Sequence, residues 1–228
     1  MLAQGRAIVA LLAATAACGP APGPAPRSEY VSSTDGTRLA VDAYVPAASA
    51  PGATLDAGAS TRRWPAVLRI TRRWRDLDLE PRPGIGAPRA FEVATFTAAG
   101  YALVLADARG TGASFGARFG PPGLADADDV LSLLDWIVAQ PWSDGRVAVW
   151  GEGDDAAFAE LAAMGGHPAV RAAVLRFGEL DLYAQLAHPG GVPNRRLLAA
   201  LEREARLLDA GDACAFAESD VKCDEVDV

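Results

Sequence analysis

From Tyr30 onward, the hydrophobic positions switch repeatedly between a period of two and a helical period. Tyr30-Val31-Ser32 and the stretch from Arg38 to Val45 flank Thr34-Asp35-Gly36-Thr37, a turn signal. In the second stretch Leu39, Val41, Ala43 and Val45 alternate with their neighbours, which predicts a half-buried antiparallel hairpin. Pro46 to Ser60, rich in Ala, Gly, Ser and Pro, reads as a loop. Ala66 to Ile70 is a short apolar strand, followed by a polar, arginine-rich loop to Pro88. Arg89 to Ala99 has helical spacing through Phe91, Ala94 and Phe96, and Gly100 stops it. Tyr101 to Ala106 is a continuous apolar run, as expected of a strand covered on both faces. Leu124 to Ala139 is the clearest helix, with Val130, Leu133, Leu134, Ile137 and Val138 on one side. A strand from Val147 to Trp150, a helix from Asp155 to Met164 and a strand from Val170 to Leu175 follow. An amphipathic helix from Arg195 to Leu208 closes the pattern. Strands alternating with helices at this pitch predict an α/β fold, its sheet mostly parallel behind an antiparallel hairpin.

Composition narrows the function classes. The 228 residues suit one domain with a real core, and half of them are hydrophobic. A formal net charge of −8 repels nucleic acid and anionic head groups, and no basic cluster interleaved with aromatics offsets it. Nothing in the sequence asks for a cofactor.

The N-terminus reads as a targeting segment over residues 1–18. Arg6 supplies a positive start, Ala7 to Ala14 a short apolar run, and Thr15-Ala16-Ala17-Cys18 resembles a bacterial lipobox. Lipidation at Cys18 would leave residues 19–29, with Gly19 to Pro26 reading GPAPGPAP, as a stiff tether. The expectation is an exported chain held in the bacterial cell envelope, touching membrane only through its lipid; an ordinary secretory signal is the simpler alternative. Cys214 and Cys223 could then bridge in an oxidising compartment, or remain two separate thiols.

Several segments together resemble the Xaa-Pro dipeptidyl-peptidase and cocaine-esterase (CocE/NonD) family of α/β-hydrolases. They are Asp35-Gly36-Thr37-Arg38-Leu39, Ala66 to Arg75, and Asp107 to Gly116, which reads DARGTGASFG. Asp135-Trp136-Ile137, Gln140-Pro141-Trp142-Ser143 and Gly145-Arg146-Val147 then lead into Trp150-Gly151, the place of the family's nucleophile elbow. His167-Pro168-Ala169-Val170 and Pro189-Gly190-Gly191-Val192 also look familial. The resemblance runs from about Ser28 to Leu208. It implies an α/β-hydrolase domain over residues 30–192, truncated before the last strands, with residues 193–228 starting a helical cap or a tail. Acyl-ester or Xaa-Pro peptide hydrolysis is the activity implied, on a small molecule or peptide that the sequence does not identify.

The chemistry departs from that pattern. The family's elbow reads Gly-x-Ser-Tyr-x-Gly, a strained turn that lifts the serine hydroxyl above the sheet. Here it reads Gly151-Glu152-Gly153-Asp154-Asp155-Ala156. Gly153 stands at the serine position and has no side chain with which to form an acyl-enzyme. Asp154 replaces an aromatic, its backbone amide falling at an oxyanion-hole position, and Ala156 replaces a packing glycine. Arg73 stands where the family supplies an oxyanion-binding tyrosine; a solvated surface arginine is the plainer reading. Glu152, Asp154 and Asp155 are expected to crowd one helix N-terminus, where negative charge disfavours a nearby oxyanion.

The triad partners are not in view either. His167 precedes a strand and is expected at the sheet end opposite the elbow, whereas His188 follows that strand and reads as a turn residue. Ser114 is expected to tie its own loop by local hydrogen bonds. The sequence therefore favours a non-catalytic relative, a binding or scaffold protein or a decayed fragment. Two alternatives stand beside it. One is an active serine-type hydrolase completed by another chain; the other is a Ca²⁺ or Mg²⁺ site built from Asp107, Glu152, Asp154 and Asp155. The last strand is expected to leave an apolar edge, to be covered by the helix from Arg195 to Leu208 or by a protein partner.

Overall fold

The computed structural model describes residues 24–48, 50–51, 62–75, 88–118, 120–178 and 181–210. Cys18, Cys214 and Cys223, and with them the lipidation and disulfide readings, lie outside the described residues. Six strands form one sheet: β1 (Arg27–Ser32), β2 (Arg38–Tyr44), β3 (Trp64–Thr71), β4 (Ala102–Asp107), β5 (Ser143–Glu152) and β6 (Val170–Arg176). Their spatial order is β1-β2-β4-β3-β5-β6. β1 pairs with β2, and β2 with β4, in antiparallel sense; β4, β3, β5 and β6 run parallel. The chain thus enters through a hairpin and continues as parallel strands joined through helices, the α/β-hydrolase arrangement expected from the sequence.

The hairpin turns where Asp35 Oδ1 accepts the Thr37 amide at 2.9 Å and Gly36 takes a positive φ of 82°. β4 lies inside the sheet, and all six of its residues are buried. Its side chains alternate between two cores. Val104 and Ala106 join Leu68, Val149, Leu133, Leu134, Ile137 and Phe158 on one face. Leu103 and Leu105 join Val67, Tyr44 and Val93 on the other. Helices α2 (Leu124–Ala139) and α3 (Ala156–Met164) supply the first face, and α1 (Pro88–Ala98) the second. Fully burying each of the larger aliphatic side chains contributes about 1.5–3 kcal/mol. This two-sided core is what fixes the carboxyl ends of the strands, where the site lies.

Of the boundaries that differ from the sequence reading, two have a clear structural reason. β5 begins four residues before Val147, because Ser143 pairs with Trp64 across a register shift and the Trp64 amide donates to the Trp142 carbonyl at 2.8 Å. The helix after the elbow begins at Ala156, because Gly153–Asp155 winds as a tighter 3-10 turn.

Helix α4 (Arg195–Ala210) does not cover the last strand. It lies instead over the carboxyl ends of the strands, and every residue from Arg171 to Arg176 remains exposed. Between β6 and α4 the chain makes a π-helical turn, Tyr183–Ala187, and a 3-10 turn, Pro189–Gly191. Among the described residues no helix is long and apolar enough to cross a membrane.

Candidate functional site

The site is built on three loops that leave the carboxyl ends of β3, β4 and β5. One buried carboxylate joins the first two. Asp107, at the end of β4, accepts the Arg75 amide at 2.6 Å, the Arg75 guanidinium at 2.6 Å and the Ala113 amide at 2.9 Å. Gly112 lies so close that an added Cβ would sit 2.4 Å from the Asp107 carboxylate. Burial pushes the Asp107 carboxyl up from its usual range, against the pull of these donors. The loop after β3 is strained, with the buried Trp74 at φ 60°. Ser114 works structurally, as its sequence context suggests. Its hydroxyl donates to the Asp107 carbonyl and accepts the Ala40 amide, both at 2.8 Å. Arg109 then fastens the same loop to α2 through two bonds to Asp129, of 2.7 and 2.6 Å.

The turn after β5, where the resemblance places the elbow, is tight. Gly151 must be glycine, since a Cβ there would meet the Asp155 carbonyl oxygen at 2.3 Å. Gly153 occupies the apex at φ 58°, and a Cβ built on it meets nothing within 4 Å. The space for a serine side chain is present and unfilled. Ala156 is accommodated because Gly178 faces it; a Cβ on Gly178 would come within 2.8 Å of the Ala156 methyl.

The three carboxylates do not crowd one point. Each finds its own arginine, on a different side of the turn. Glu152 lies 3.5 Å from Arg176 at the end of β6. Asp154 accepts from Arg73 at 2.9 Å. Asp155 points down into the protein, 2 % exposed, toward Arg69 at 3.4 Å and the Arg72 amide at 3.3 Å. Burial raises the Asp155 carboxyl above its ordinary value, while Arg69, Thr71 and Arg72 oppose that shift. Arg69 also binds Glu92 of α1 through two contacts of 2.8 Å.

This pairing holds Glu152, Asp154 and Asp155 on separate arginines, with Asp107 on Arg75. Among the described residues no group of three His, Cys, Asp or Glu side chains could hold a metal ion.

Arg73 is not a free surface cation. Its guanidinium bridges Asp154 and Glu204 of α4, with bonds to Glu204 of 3.0 and 2.8 Å. It therefore stands beside the turn after β5 with its donors engaged by two carboxylates. Arg118 makes the second tie to α4, through Asp209 at 2.7 Å and the Ala205 carbonyl at 3.2 Å. Beneath the helix lies a cavity of about 550 Å³. Its lining includes Gly153, Arg72, Arg73 and Arg118, together with Leu201 and Leu208 of α4.

Neither histidine reaches this cavity. His167 precedes β6 at the opposite end of the sheet, with Nε2 3.0 Å from Asp135 of α2. His188 stacks on the Tyr183 ring with centroids 4.3 Å apart and is not among the lining residues.

Comparison with known proteins gives the setting. Residues 35–220 match the family described as X-Pro dipeptidyl-peptidase (S15 family). "Putative serine esterase Mb1866c" of Mycobacterium bovis is 40% identical over 172 residues, which cover 72% of this chain and 26% of that protein. Cocaine esterase of Rhodococcus is 32% identical over 158 residues, covering 69% of this chain and 24% of that protein. The chain thus spans about a quarter of the length of the curated relatives it matches. Among solved structures, a CocE/NonD family hydrolase of Staphylococcus aureus superposes with a TM-score of 0.53 at 21% identity. That match covers 73% of this chain and 30% of the other. With the sheet order, the elbow and the matched residues in agreement, the chain belongs to the X-Pro dipeptidyl-peptidase (S15) family of α/β-hydrolases.

Proposed function

We propose that this chain is a non-catalytic member of its family, acting by binding at the cell envelope after export through its N-terminal segment. The observation that carries this reading is Gly153, at the apex of a correctly formed elbow with open space above it. A serine hydrolase needs a hydroxyl at that point to attack the acyl carbon, and no partner chain can supply one through the backbone of Gly153. The tie between Arg73, Asp154 and Glu204 supports the same reading. A donor held by two carboxylates must give up those bonds before it can serve an oxyanion, and the carboxylates oppose negative charge there. What survives is a concave, largely apolar cavity beside the elbow, suited to holding a small molecule or a peptide side chain.

Turnover of p-nitrophenyl acetate tests the reading. The expected rate with the wild-type chain equals the buffer background from pH 6 to 9. Saturable turnover that follows the protein through purification would overturn it and favour an active hydrolase with another nucleophile.

A further inference from the structure

Three arginines face the cavity, and they differ in what neutralises them. Arg73 is bonded to Asp154 and Glu204, and Arg118 to Asp209. Arg72 forms no ion pair with any described residue. One of its terminal nitrogens donates to the Gly120 carbonyl, and its guanidinium lies 5.8 Å from the centre of the Phe158 ring. Its Nε is buried and has no acceptor among the described residues. A buried donor without an acceptor costs about 1–3 kcal/mol, and more when the group is charged. Burial, and after it the neighbouring Arg118 charge, lower the pKa of Arg72 from its usual value, while Asp126, Asp154 and Asp155 pull the other way without bonding it. A positive charge left this way gains from any anion that reaches it.

The rest of the cavity limits what that anion can be. Beside the arginines, the lining carries Leu182 and Leu186 from the π-helical turn and Leu201 and Leu208 from α4. Gly153, lacking a side chain, leaves the elbow end of the cavity open. Of the acids on the wall, Asp154 and Glu204 are bonded to Arg73, Asp209 to Arg118 and Glu202 to Arg206. Glu160 is the remaining one, which makes a cationic amphiphile the decisive competing probe.

We infer that the cavity beside Gly153 binds a monocarboxylate with an apolar tail, its carboxylate on Arg72 and its tail along the leucines of α4 and the π-helical turn. The inference rests on the non-catalytic reading, because an acyl-enzyme at position 153 would need the same space. Its test reads binding and not turnover, so the two readings fail separately: turnover sinks the first, and the titration below sinks the second.

The full chain is titrated with octanoate, 1-octanol and octylamine by calorimetry. Octanoate is expected to bind at least about tenfold more tightly than 1-octanol, the size of one charge-assisted hydrogen bond. Arg72→Gln brings octanoate to the level of 1-octanol without changing 1-octanol binding, and Arg72→Lys retains part of the preference. Leu201→Gln weakens octanoate and 1-octanol alike, which separates the tail contact from the charge contact should Arg72→Gln fold poorly. Equal binding of octanoate and 1-octanol, tighter binding of octylamine, no octanoate binding at millimolar concentration, or an unaltered preference in Arg72→Gln would each overturn the inference.

Discussion

Gly151 and Gly153, two residues apart, show how differently glycine can be required. At Gly151 the constraint is contact, since a Cβ would stand 2.3 Å from the Asp155 carbonyl oxygen. At Gly153 the surroundings are open and only the φ of 58° opposes a side chain. A left-handed conformation costs an ordinary residue about 1–2 kcal/mol, whereas forcing atoms into a packed contact costs about 3 kcal/mol. Gly153→Ala should therefore lose about 1 kcal/mol in urea denaturation and Gly151→Ala about 3 kcal/mol; equal losses would contradict the account of the apex as open. Asp35 gives a second residue-scale test. The Thr37 donors, with Arg109 3.0 Å away, hold its pKa at about 2 against an ordinary 3.8. A depressed carboxylate pKa stabilises the fold above the unfolded value, and that stability is lost as pH falls. Melting temperature should thus decline between pH 4 and pH 2, and Asp35→Asn should flatten part of that decline. An identical profile in the variant would show that the turn does not depend on this charge.

Helix α4 is the element whose role was least visible in the sequence. Its apolar stripe predicted a helix, but the edge of the last strand, offered as one surface for it, is not the surface it covers. The answer rests on Arg73 with Glu204 and Arg118 with Asp209, pairs 131 and 91 residues apart along the chain. Local pattern cannot disclose such pairs, so Arg73 read as a solvated cation in a run of arginines. The same limit applies to Asp155, which looks like a helix-start acid but turns inward to Arg69 of β3. The strands and the crossover helices were legible because they depend on period and turn chemistry close along the chain, whereas the elbow was placed by the family resemblance. Only Leu208 of α4 is buried, so polar ties hold much of the helix in place. Partly exposed ion pairs contribute on the order of 0–1 kcal/mol each and are screened by salt. Glu204→Gln combined with Asp209→Asn should raise amide exchange throughout α4 while leaving β3 and β4 protected. Unchanged exchange in α4 would mean that its apolar face alone secures it.

At the scale of the whole molecule, the described sheet ends in an edge strand on either side, β1 and β6. β1 begins it with a hairpin, and β6 ends it with Val174 and Leu175 exposed at 46% and 41%. Among the described residues the outer row of β6 amides and carbonyls has no strand partner, and such a row is a template for another strand. Light scattering of the chain is expected to show association that rises with concentration, and Ala173→Lys on β6 should suppress it. A monomer at all concentrations would show that the edge is protected.

The central claim, that an intact elbow has lost its nucleophile, is tested most directly by fluorophosphonate labelling followed by intact mass. The wild-type chain, folded by circular dichroism, is predicted to gain no mass. A stoichiometric adduct on the wild-type chain would contradict the account, and the labelled peptide would identify the nucleophile that replaces position 153.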